Sequence, residues 1–271
     1  MKEFIKQNKA LKDVIRETAE VAGYLWERGW AERNAGNISV NITDLMQLNF
    51  PELESLPCIP LSMKYPKLAG SYFFVTGTGK RMRDLSRKPM QNALIIKMTK
   101  DASGYHFISP GIENEFFSPS SELSTHLGIH QMIAERGSSE KVVMHTHVTE
   151  LVALTQCKEF CNQETLNKIV WNMHPETIIF VPKGIGFVPF LLPGSLDIAE
   201  KTIMALQHHD VALWEKHGVF AIGKNVADTF DLIDILAKSA RIYFLCRSAD
   251  IIPEGFTVEQ LEELKKLSGN F

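Results

Sequence analysis

The feature that most constrains the fold is a short apolar run that ends in two histidines, residues 141–147. A run of this length and composition predicts a buried β-strand. Because alternate residues of a strand point to the same side, the imidazoles of His145 and His147 would emerge side by side at its end. Two histidines from one strand end and a third from elsewhere form a catalytic zinc site with an open coordination position, and His217 is the candidate third ligand.

Both strand histidines also fit an ordinary role as partly buried polar residues. A second candidate metal site consists of Glu122, His126 and His130, which are spaced four residues apart and would stand one above another on a helix face. The segment reads His-Leu-Gly-Ile-His rather than His-Glu-x-x-His, so the general base of the metalloprotease pattern is missing. For this second set we favour a polar helix face that lines a cleft or packs on a neighbouring element.

The composition excludes several classes of protein. Of the 271 residues, 45% are hydrophobic and 23% are charged, as in ordinary globular proteins. A net charge of −3 argues against a broad surface for nucleic acid or anionic membrane. No apolar run approaches the roughly 20 residues of a membrane span, and the N-terminus lacks the pattern of a signal peptide. The four cysteines form no paired metal-ligand pattern and are too few for a disulfide scaffold, so we expect a cytoplasmic protein.

The periodicity of apolar residues predicts one α/β domain over residues 1–271. An amphipathic stripe predicts an N-terminal helix over residues 3–29, and four prolines predict a long irregular insertion over about 43–70. Together with the strand at residues 141–147, strands are predicted at residues 38–42, 71–76, 93–98, 104–108, 177–182, 211–214 and 219–222. Further helices are predicted at residues 121–136, 195–208, 226–248 and 257–267. Strands that alternate unevenly with helices favour an α/β/α sandwich around a mixed sheet over a fully parallel one.

Three loop segments are suited to binding an anion such as a phosphate group. They are Gly36-Asn37 in an early turn, residues 76–80 (Thr-Gly-Thr-Gly-Lys) after a strand, and residues 118–121 (Ser-Pro-Ser-Ser) before a helix. Glycines let backbone amides approach a ligand, and a helix N-terminus adds the positive end of its dipole. Each segment alone also fits a turn or a helix cap, and residues 76–80 match neither a P-loop nor the dinucleotide-binding fingerprint.

Glu122 directly follows these serines, in the first turn of the predicted helix. A carboxylate at such a position commonly complements the helix dipole. It would also serve as a general base beside a metal ion and an anion. The sequence contains no nucleophile elbow or cysteine–histidine pattern that competes with this chemistry.

Taken in order, these segments resemble the class II aldolase/adducin family. Five blocks carry the resemblance: residues 34–39 (Asn-Ala-Gly-Asn-Ile-Ser), 76–80, 120–123 (Ser-Ser-Glu-Leu), 145–147 (His-Thr-His) and 217–218 (His-Gly). Five blocks in the family's order are far more specific than any single block. The proline-bearing insertion and its flanks resemble one sugar-phosphate aldolase branch of the family and extend the match to nearly the whole chain.

The resemblance implies a single-domain, three-layer α/β/α sandwich with a mixed, mostly antiparallel sheet, assembled as a homotetramer. It implies one zinc ion per subunit, held by His145, His147 and His217, with Glu122 as an acid/base residue. The blocks that hold the substrate phosphate contain Gly36, Asn37, Thr78, Ser120 and Ser121. Glu176 resembles an acid/base residue that acts in a neighbouring subunit's site. The partner implied is a small sugar phosphate, with no nucleic acid and no membrane.

Other functions within the same fold stay open. The family also contains L-fuculose-phosphate aldolases, which lack most of the insertion, and epimerases and dehydratases for other sugar phosphates. Non-catalytic interaction domains like the adducin head lack the metal ligands, so the intact set of three histidines argues against that class. A class I aldolase would need a Schiff-base lysine, for which Lys80 and Lys216 are candidates by position only.

Overall fold

A computed structural model describes residues 7–46, 56–108 and 117–267 of the chain. The strands are β1 (Asn37–Asn41), β2 (Cys58–Pro60), β3 (Tyr72–Thr76), β4 (Ala93–Met98), β5 (Gly104–Phe107), β6 (Val142–Thr146), β7 (Ile185–Val188), β8 (Val211–Trp214) and β9 (Gly218–Gly223). They form a nine-stranded sheet in the order β2-β5-β4-β3-β1-β6-β9-β8-β7. Every neighbouring pair is antiparallel except β7 and β8, which are parallel. The sheet is therefore mixed and mostly antiparallel, as predicted.

Helices connect the strands and cover the sheet. They are α1 (Lys9–Glu27), α2 (Met82–Leu85), α3 (Pro89–Asn92), α4 (Leu123–Glu135), α5 (Thr149–Leu154), α6 (Gln163–Trp171), α7 (Pro175–Phe180), α8 (Leu196–Leu206), α9 (Val226–Ser248) and α10 (Val258–Leu267). Short 3-10 turns lie at Thr43–Leu45, Pro66–Leu68 and Lys158–Phe160. Among the helices described, none has the length and apolar character needed to cross a membrane.

The two faces of the sheet are buried against different helices. Alternate residues of β6 show the division, because Met144 packs in a cluster with α1, α5, α6 and α9, whereas Val143 packs in a cluster with α4 and α8. A third cluster, which includes Phe73 and Leu127, extends the α4 side over β3, β4 and β5. These layers confirm the predicted three-layer α/β/α sandwich.

Helix α1 lies within the N-terminal helix predicted at residues 3–29. Its described part begins after Asn8, whose side chain accepts a hydrogen bond from the Leu11 amide at 3.0 Å and so caps α1. It ends at Glu27, before Gly29 takes a left-handed φ of +75° that reverses the chain. Residues 3–6 of the prediction lie outside the described part. The predicted insertion at 43–70 contains β2 and two 3-10 turns, and its residues 47–55 are likewise not described.

The predicted strand at residues 177–182 is wrong, because residues 177–180 belong to helix α7 and no strand follows them before β7. Pro175 occupies the first turn, where its missing N–H costs nothing, after an extended His174. The Thr177 hydroxyl donates to the His174 carbonyl at 2.6 Å and lies 3.5 Å from the Ser239 hydroxyl of α9. The β-branched residues that suggested a strand are therefore buried against another helix. Four helices (α2, α3, α5 and α6) and two strands (β2 and β7) were not predicted from the sequence.

Packing on α9 gives a test of the fold. Leu236 is fully buried at 0% exposure, whereas Leu245 on the same helix is 62% exposed. We expect Leu236→Ala to lower the free energy of unfolding by about 2–5 kcal/mol, because it removes buried methyl groups and leaves a cavity. The matched Leu245→Ala change should alter it by less than about 0.5 kcal/mol, as is usual for surface positions. Denaturant unfolding measures both, and equal losses would contradict the described packing.

Candidate active site

The three loops suited to an anion surround one cavity of about 210 Å³. Every residue predicted to hold the phosphate lines it, namely Gly36, Asn37, Thr78, Ser120 and Ser121. Glu122 and the three histidines line the same cavity. The structure thus brings together loops that are far apart in sequence, which the sequence alone did not establish.

Backbone hydrogen bonds hold two of these loops together. The Thr78 amide donates to the Ser118 carbonyl at 2.8 Å, and the Ser120 amide donates to the Thr76 carbonyl at 2.9 Å. The Thr76 hydroxyl in turn accepts from the Ile38 amide at 2.9 Å and donates to the Ile38 carbonyl at 3.0 Å. These bonds fasten the loop after β3 and the loop before α4 to the first strand of the site.

The three histidines form a group suited to a metal ion. The possible ligand atoms of His145, His147 and His217 all lie within 4.8 Å of one another. His145 is the penultimate residue of β6, His147 follows two positions later, and His217 lies in the turn between β8 and β9. Pairing of Thr146 with Val219 across β6 and β9 brings this turn to the end of β6. Among the described residues, this is the group of three possible ligand side chains that lie close enough together to hold a metal ion.

Two glycines allow the close approach of these segments. A Cβ atom added at Gly218 would lie 2.5 Å from the Thr146 carbonyl oxygen, closer than real contacts allow. At Gly36, which has a left-handed φ of +80°, an added Cβ would lie 3.1 Å from the His145 carbonyl oxygen. The glycines of the Gly-Asn and His-Gly blocks therefore have a steric role beside the metal group.

The free ring nitrogens show that the histidines fit a metal ion. The Nδ1 of His145 donates to the Val219 carbonyl at 2.9 Å, and the Nδ1 of His147 donates to the Glu32 carboxylate at 2.8 Å. The Nε2 of His145 and the Nδ1 of His217 are buried and have no hydrogen-bond partner among the described residues. Burial, reinforced by the neighbouring histidines, lowers the pKa of His145 to about 3 and that of His217 to about 4. Neutral imidazoles with unpartnered buried nitrogens are the donors that zinc prefers.

Glu122 lies between the three histidines and the loops suited to an anion. Its Oε2 lies 3.7 Å from the Nε2 of His145 and accepts a hydrogen bond from the Asn37 Nδ2 at 2.7 Å. Its amide donates to the Ser120 hydroxyl at 3.3 Å. Glu122 occupies the position just before α4, which begins at Leu123, rather than lying in the first turn as predicted, and its side chain makes no capping hydrogen bond. A carboxylate in this position is within reach of a ligand that bridges the histidines and the loops.

The second candidate metal site is not built for a metal ion. Both ring nitrogens of His126 are engaged, Nε2 with the Asn37 Oδ1 and Nδ1 with the Ser39 hydroxyl at 2.6 Å. The Nε2 of His130 bonds the same hydroxyl at 2.9 Å. These side chains form the packed polar helix face that the sequence favoured.

Glu176 does not line the cavity that contains Glu122. It lies in the first turn of α7, its side chain is 49% exposed, and it accepts a hydrogen bond from the His174 Nδ1 at 2.5 Å. That hydrogen bond lowers the pKa of Glu176. Its predicted role concerns a neighbouring subunit and stays a prediction.

The lysine candidates do not have the environment that a Schiff base requires. Lys80 lies over the Phe117 ring, with its Nζ 4.2 Å from the ring centroid. Lys216 donates to the Glu215 carboxylate at 2.8 Å, which raises the pKa of the lysine, whereas a Schiff-base lysine needs a lowered pKa. Neither lysine lines the cavity.

Sequence reasoning missed two residues of the site. Glu32 holds the His147 ring, and no spacing rule links a glutamate in the early turn to a histidine after β6. Pro193 lines the cavity from the loop between β7 and α8. Contacts of this kind form only in the folded chain, so sequence spacing does not reveal them. The position of Glu32 beside the recognised Asn-Ala-Gly-Asn turn was nevertheless a signal that it lies near the site.

Comparison with known proteins gives a consistent result. Residues 16–244 match the family described as class II aldolase and adducin N-terminal domain. The chain is 42% identical over 265 residues to rhamnulose-1-phosphate aldolase of Bacteroides thetaiotaomicron, covering 97% of both chains. It is 33% identical over 268 residues to rhamnulose-1-phosphate aldolase of Escherichia coli, covering 98% of this chain and 95% of that one.

Solved structures share the architecture. A sugar-phosphate aldolase from Thermotoga maritima superposes with a TM-score of 0.73 at 33% identity, covering 91% of this chain and 100% of that one. An L-fuculose 1-phosphate aldolase superposes with a TM-score of 0.61 at 18% identity, covering 94% of this chain and 95% of that one, and so shares the fold. The sequence match over most of the chain, together with the fold, shows that the chain belongs to the class II aldolase and adducin family.

Proposed function

We propose that this protein is a zinc-dependent lyase that reversibly cleaves L-rhamnulose 1-phosphate to dihydroxyacetone phosphate and L-lactaldehyde. The observation that carries the proposal is the convergence of three imidazoles, one carboxylate and three loops suited to an anion in a single cavity. The sugar is inferred from the 42% identity to a rhamnulose-1-phosphate aldolase over 97% of both chains. A metal-dependent aldolase of sugar phosphates needs these components together, because it must bind a phosphorylated ketose and stabilise negative charge next to its carbonyl.

The proposed metal ligands are His145, His147 and His217. The buried, unpartnered nitrogens of His145 and His217 fit a zinc ion, and three neutral ligands would leave its dipositive charge uncompensated. When bound, zinc supplies Lewis-acid charge next to the ketose carbonyl. The hydrogen bonds from the Nδ1 atoms of His145 and His147 hold both rings in the tautomer that leaves Nε2 free.

The loops at the other end of the cavity would hold the substrate phosphate. Gly36 and Asn37 lie beside the end of β6, while Thr78, Ser120 and Ser121 supply hydroxyl groups from the other two loops. Neutral hydroxyl and amide donors bind a phosphate without placing another charge beside the metal group. This arrangement would fix the ketose so that the carbon next to its carbonyl faces Glu122.

Glu122 is the proposed acid/base residue at that carbon. In the direction of synthesis its carboxylate removes a proton from the carbon next to the carbonyl of dihydroxyacetone phosphate. The carbon then attacks the aldehyde, and Glu176 from a neighbouring subunit protonates the oxygen of the new hydroxyl group. In the cleavage direction Glu176 takes that proton back, and Glu122 returns its own proton to the carbon.

We further propose that the chain acts as one catalytic domain over residues 1–271 in a cytoplasmic homotetramer. An assembly is supported by apolar surface close to the cavity. Phe190, Leu192 and Leu196 are 63%, 72% and 61% exposed, and they flank Pro193 at the cavity edge. Clustered exposed apolar residues are typical of a protein interface.

Removal of one imidazole tests the metal site. We expect His147→Ala to weaken zinc binding by about tenfold or more and to lower aldolase activity in parallel, because a metal ligand is lost. Zinc content by elemental analysis and chelator competition measures the effect. His208→Ala, at an exposed histidine, is the matched control and should retain both zinc and activity. Full zinc content in the His147 variant would exclude the ligand assignment.

Removal of the carboxylate tests the proton-transfer role. We expect Glu122→Ala to keep its zinc and to lower kcat by about 10²- to 10⁴-fold, the range for loss of a general base. Glu135→Ala, at the exposed far end of α4, is the matched control and should leave kcat unchanged. Unaltered turnover in the Glu122 variant would remove this residue from the mechanism.

A coupled assay for dihydroxyacetone phosphate tests the reaction and the sugar. We expect rapid release from L-rhamnulose 1-phosphate, slow release from L-fuculose 1-phosphate, and loss of both after treatment with a chelator, because the metal charge is then missing. Preference for fuculose phosphate would correct the sugar. No release from either substrate by the zinc-loaded protein would favour an epimerase or a dehydratase.

A further inference from the structure

A line of buried polar side chains crosses the interface between β1 and α4. We call it the β1–α4 network, and its members are Asn37, Ser39, His126 and His130. None of them is more than 7% exposed. The two histidines are not metal ligands, and the proposed reaction assigns them no chemical step. Polar groups in such a dry interface are costly unless they are fully hydrogen-bonded, so their presence calls for a physical reason.

The geometry of the two elements explains how the network forms. Asn37 and Ser39 are two residues apart on β1 and point to the same face, which is about 6.6 Å along a strand. Glu122, His126 and His130 are four residues apart, which is about 6.0 Å along a helix. The near-equal steps let the strand residues alternate with the helix residues, in the order Glu122, Asn37, His126, Ser39, His130.

The direction of each hydrogen bond follows from the carboxylate at one end. An ionised carboxylate only accepts, so the Asn37 Nδ2 donates to Glu122 at 2.7 Å and the Asn37 Oδ1 must face His126. The amide oxygen only accepts, so the His126 Nε2 carries the proton. Burial lowers the pKa of His126 to about 3, so the ring is neutral and its Nδ1 accepts from the Ser39 hydroxyl at 2.6 Å.

The hydrogen bond of His130, the last member of the network, runs in the same direction. The Ser39 hydroxyl donates its hydrogen bond to His126, so its oxygen accepts a hydrogen bond from the Nε2–H of His130 at 2.9 Å. The His130 ring is itself packed on Phe73, with ring centroids 4.7 Å apart. All four donors of the chain therefore point towards the Glu122 carboxylate, and the far end is fixed in the core.

We propose that the β1–α4 network positions the Glu122 carboxylate for proton transfer, and that His126 is its principal positioning residue. The Nε2–H of His126 selects one of the two orientations of the Asn37 amide. In the opposite orientation the amide oxygen would face the carboxylate, and two acceptors would repel each other. With the donor of His126 in place, the amide presents an N–H to Glu122 and holds its Oε2 beside His145.

The inference rests on the proposed function, and the test separates the two. The probe is dihydroxyacetone phosphate in D2O without aldehyde, and NMR follows replacement of the proton on the carbon next to the carbonyl. Glu122 takes that proton and returns a deuteron from solvent, so exchange reports this proton transfer and not the later step proposed for Glu176. If the zinc-loaded unmodified protein showed no exchange, the proposed function would fail whatever the network does.

Two variants separate the effect of the His126 N–H donor from the effect of the side chain's volume. His126→Leu removes both nitrogens, whereas His126→Gln keeps an amide N–H near the position of Nε2. We expect His126→Leu to slow exchange by about tenfold or more, as misplacement of a catalytic group does, with unchanged zinc content and KM for dihydroxyacetone phosphate. His126→Gln should recover much of the rate. Ser39→Ala removes one hydroxyl from the middle of the network and should give an intermediate loss.

His106→Phe is the matched control for loss of a buried histidine. His106 is 9% exposed, lies on the same sheet, and its Nδ1 bonds the Leu56 carbonyl at 3.0 Å, outside the network. We expect its exchange rate to equal that of the unmodified protein. Exchange within twofold of the unmodified rate in folded, zinc-loaded His126→Leu would overturn the proposal. If that variant does not fold, an unchanged rate in Ser39→Ala would overturn it equally.

Discussion

The site depends above all on the register of β6 between its two neighbours in the sheet. Asn37 of β1 lies opposite His145, and Thr146 lies opposite Val219 of β9. A shift of one residue would turn every side chain of β6 to the opposite face, so that His145 would point towards the α1 and α9 layer. The alternation of Val143 and Met144 between two different clusters opposes such a shift. Core packing thus determines which way the metal group faces.

The same packing holds the first imidazole rigidly. His145 stacks on Phe220, its partner across β6 and β9, with ring centroids 4.4 Å apart and planes inclined by 18°. Trp214 packs against both rings, and its indole N–H donates to the Thr202 hydroxyl at 2.7 Å. Aromatic rings hold the His145 imidazole on one side and a backbone carbonyl holds it on the other. The side chain therefore loses little conformational entropy when it binds a metal ion.

Burial and hydrogen bonding assign different roles to chemically similar histidines. Burial lowers the pKa of His126, His130 and His145 to about 3, so all three rings are neutral. Both ring nitrogens of His126 have hydrogen-bond partners in the protein, whereas the Nε2 of His145 has no hydrogen-bond partner in the described structure. The first ring therefore suits positioning and the second suits ligation. The hydrogen bonding of the ring nitrogens, rather than the residue type, therefore distinguishes His145 from His126.

The sequence by itself determined the features that depend on local periodicity and ordered motifs. The strand that contains His145 and precedes His147, the helix that begins after Glu122, and the α/β/α architecture follow from spacing, from apolar alternation and from five blocks in a family's order. The strand predicted at 177–182 was wrong, because a proline at a helix start and packing on α9 outweighed β-branched composition.

Only the tertiary structure decided which of these residues meet. The approach of His217 to β6 requires the β9 register and the absence of a side chain at Gly218. The contact of Glu32 with His147 joins residues 115 positions apart, and no local pattern encodes it. The Asn37–His126 bond spans 89 positions and depends on how α4 lies on the sheet. Residue identity determined the available chemistry, while long-range packing determined where each group points, because direction and distance arise only when distant segments are buried together.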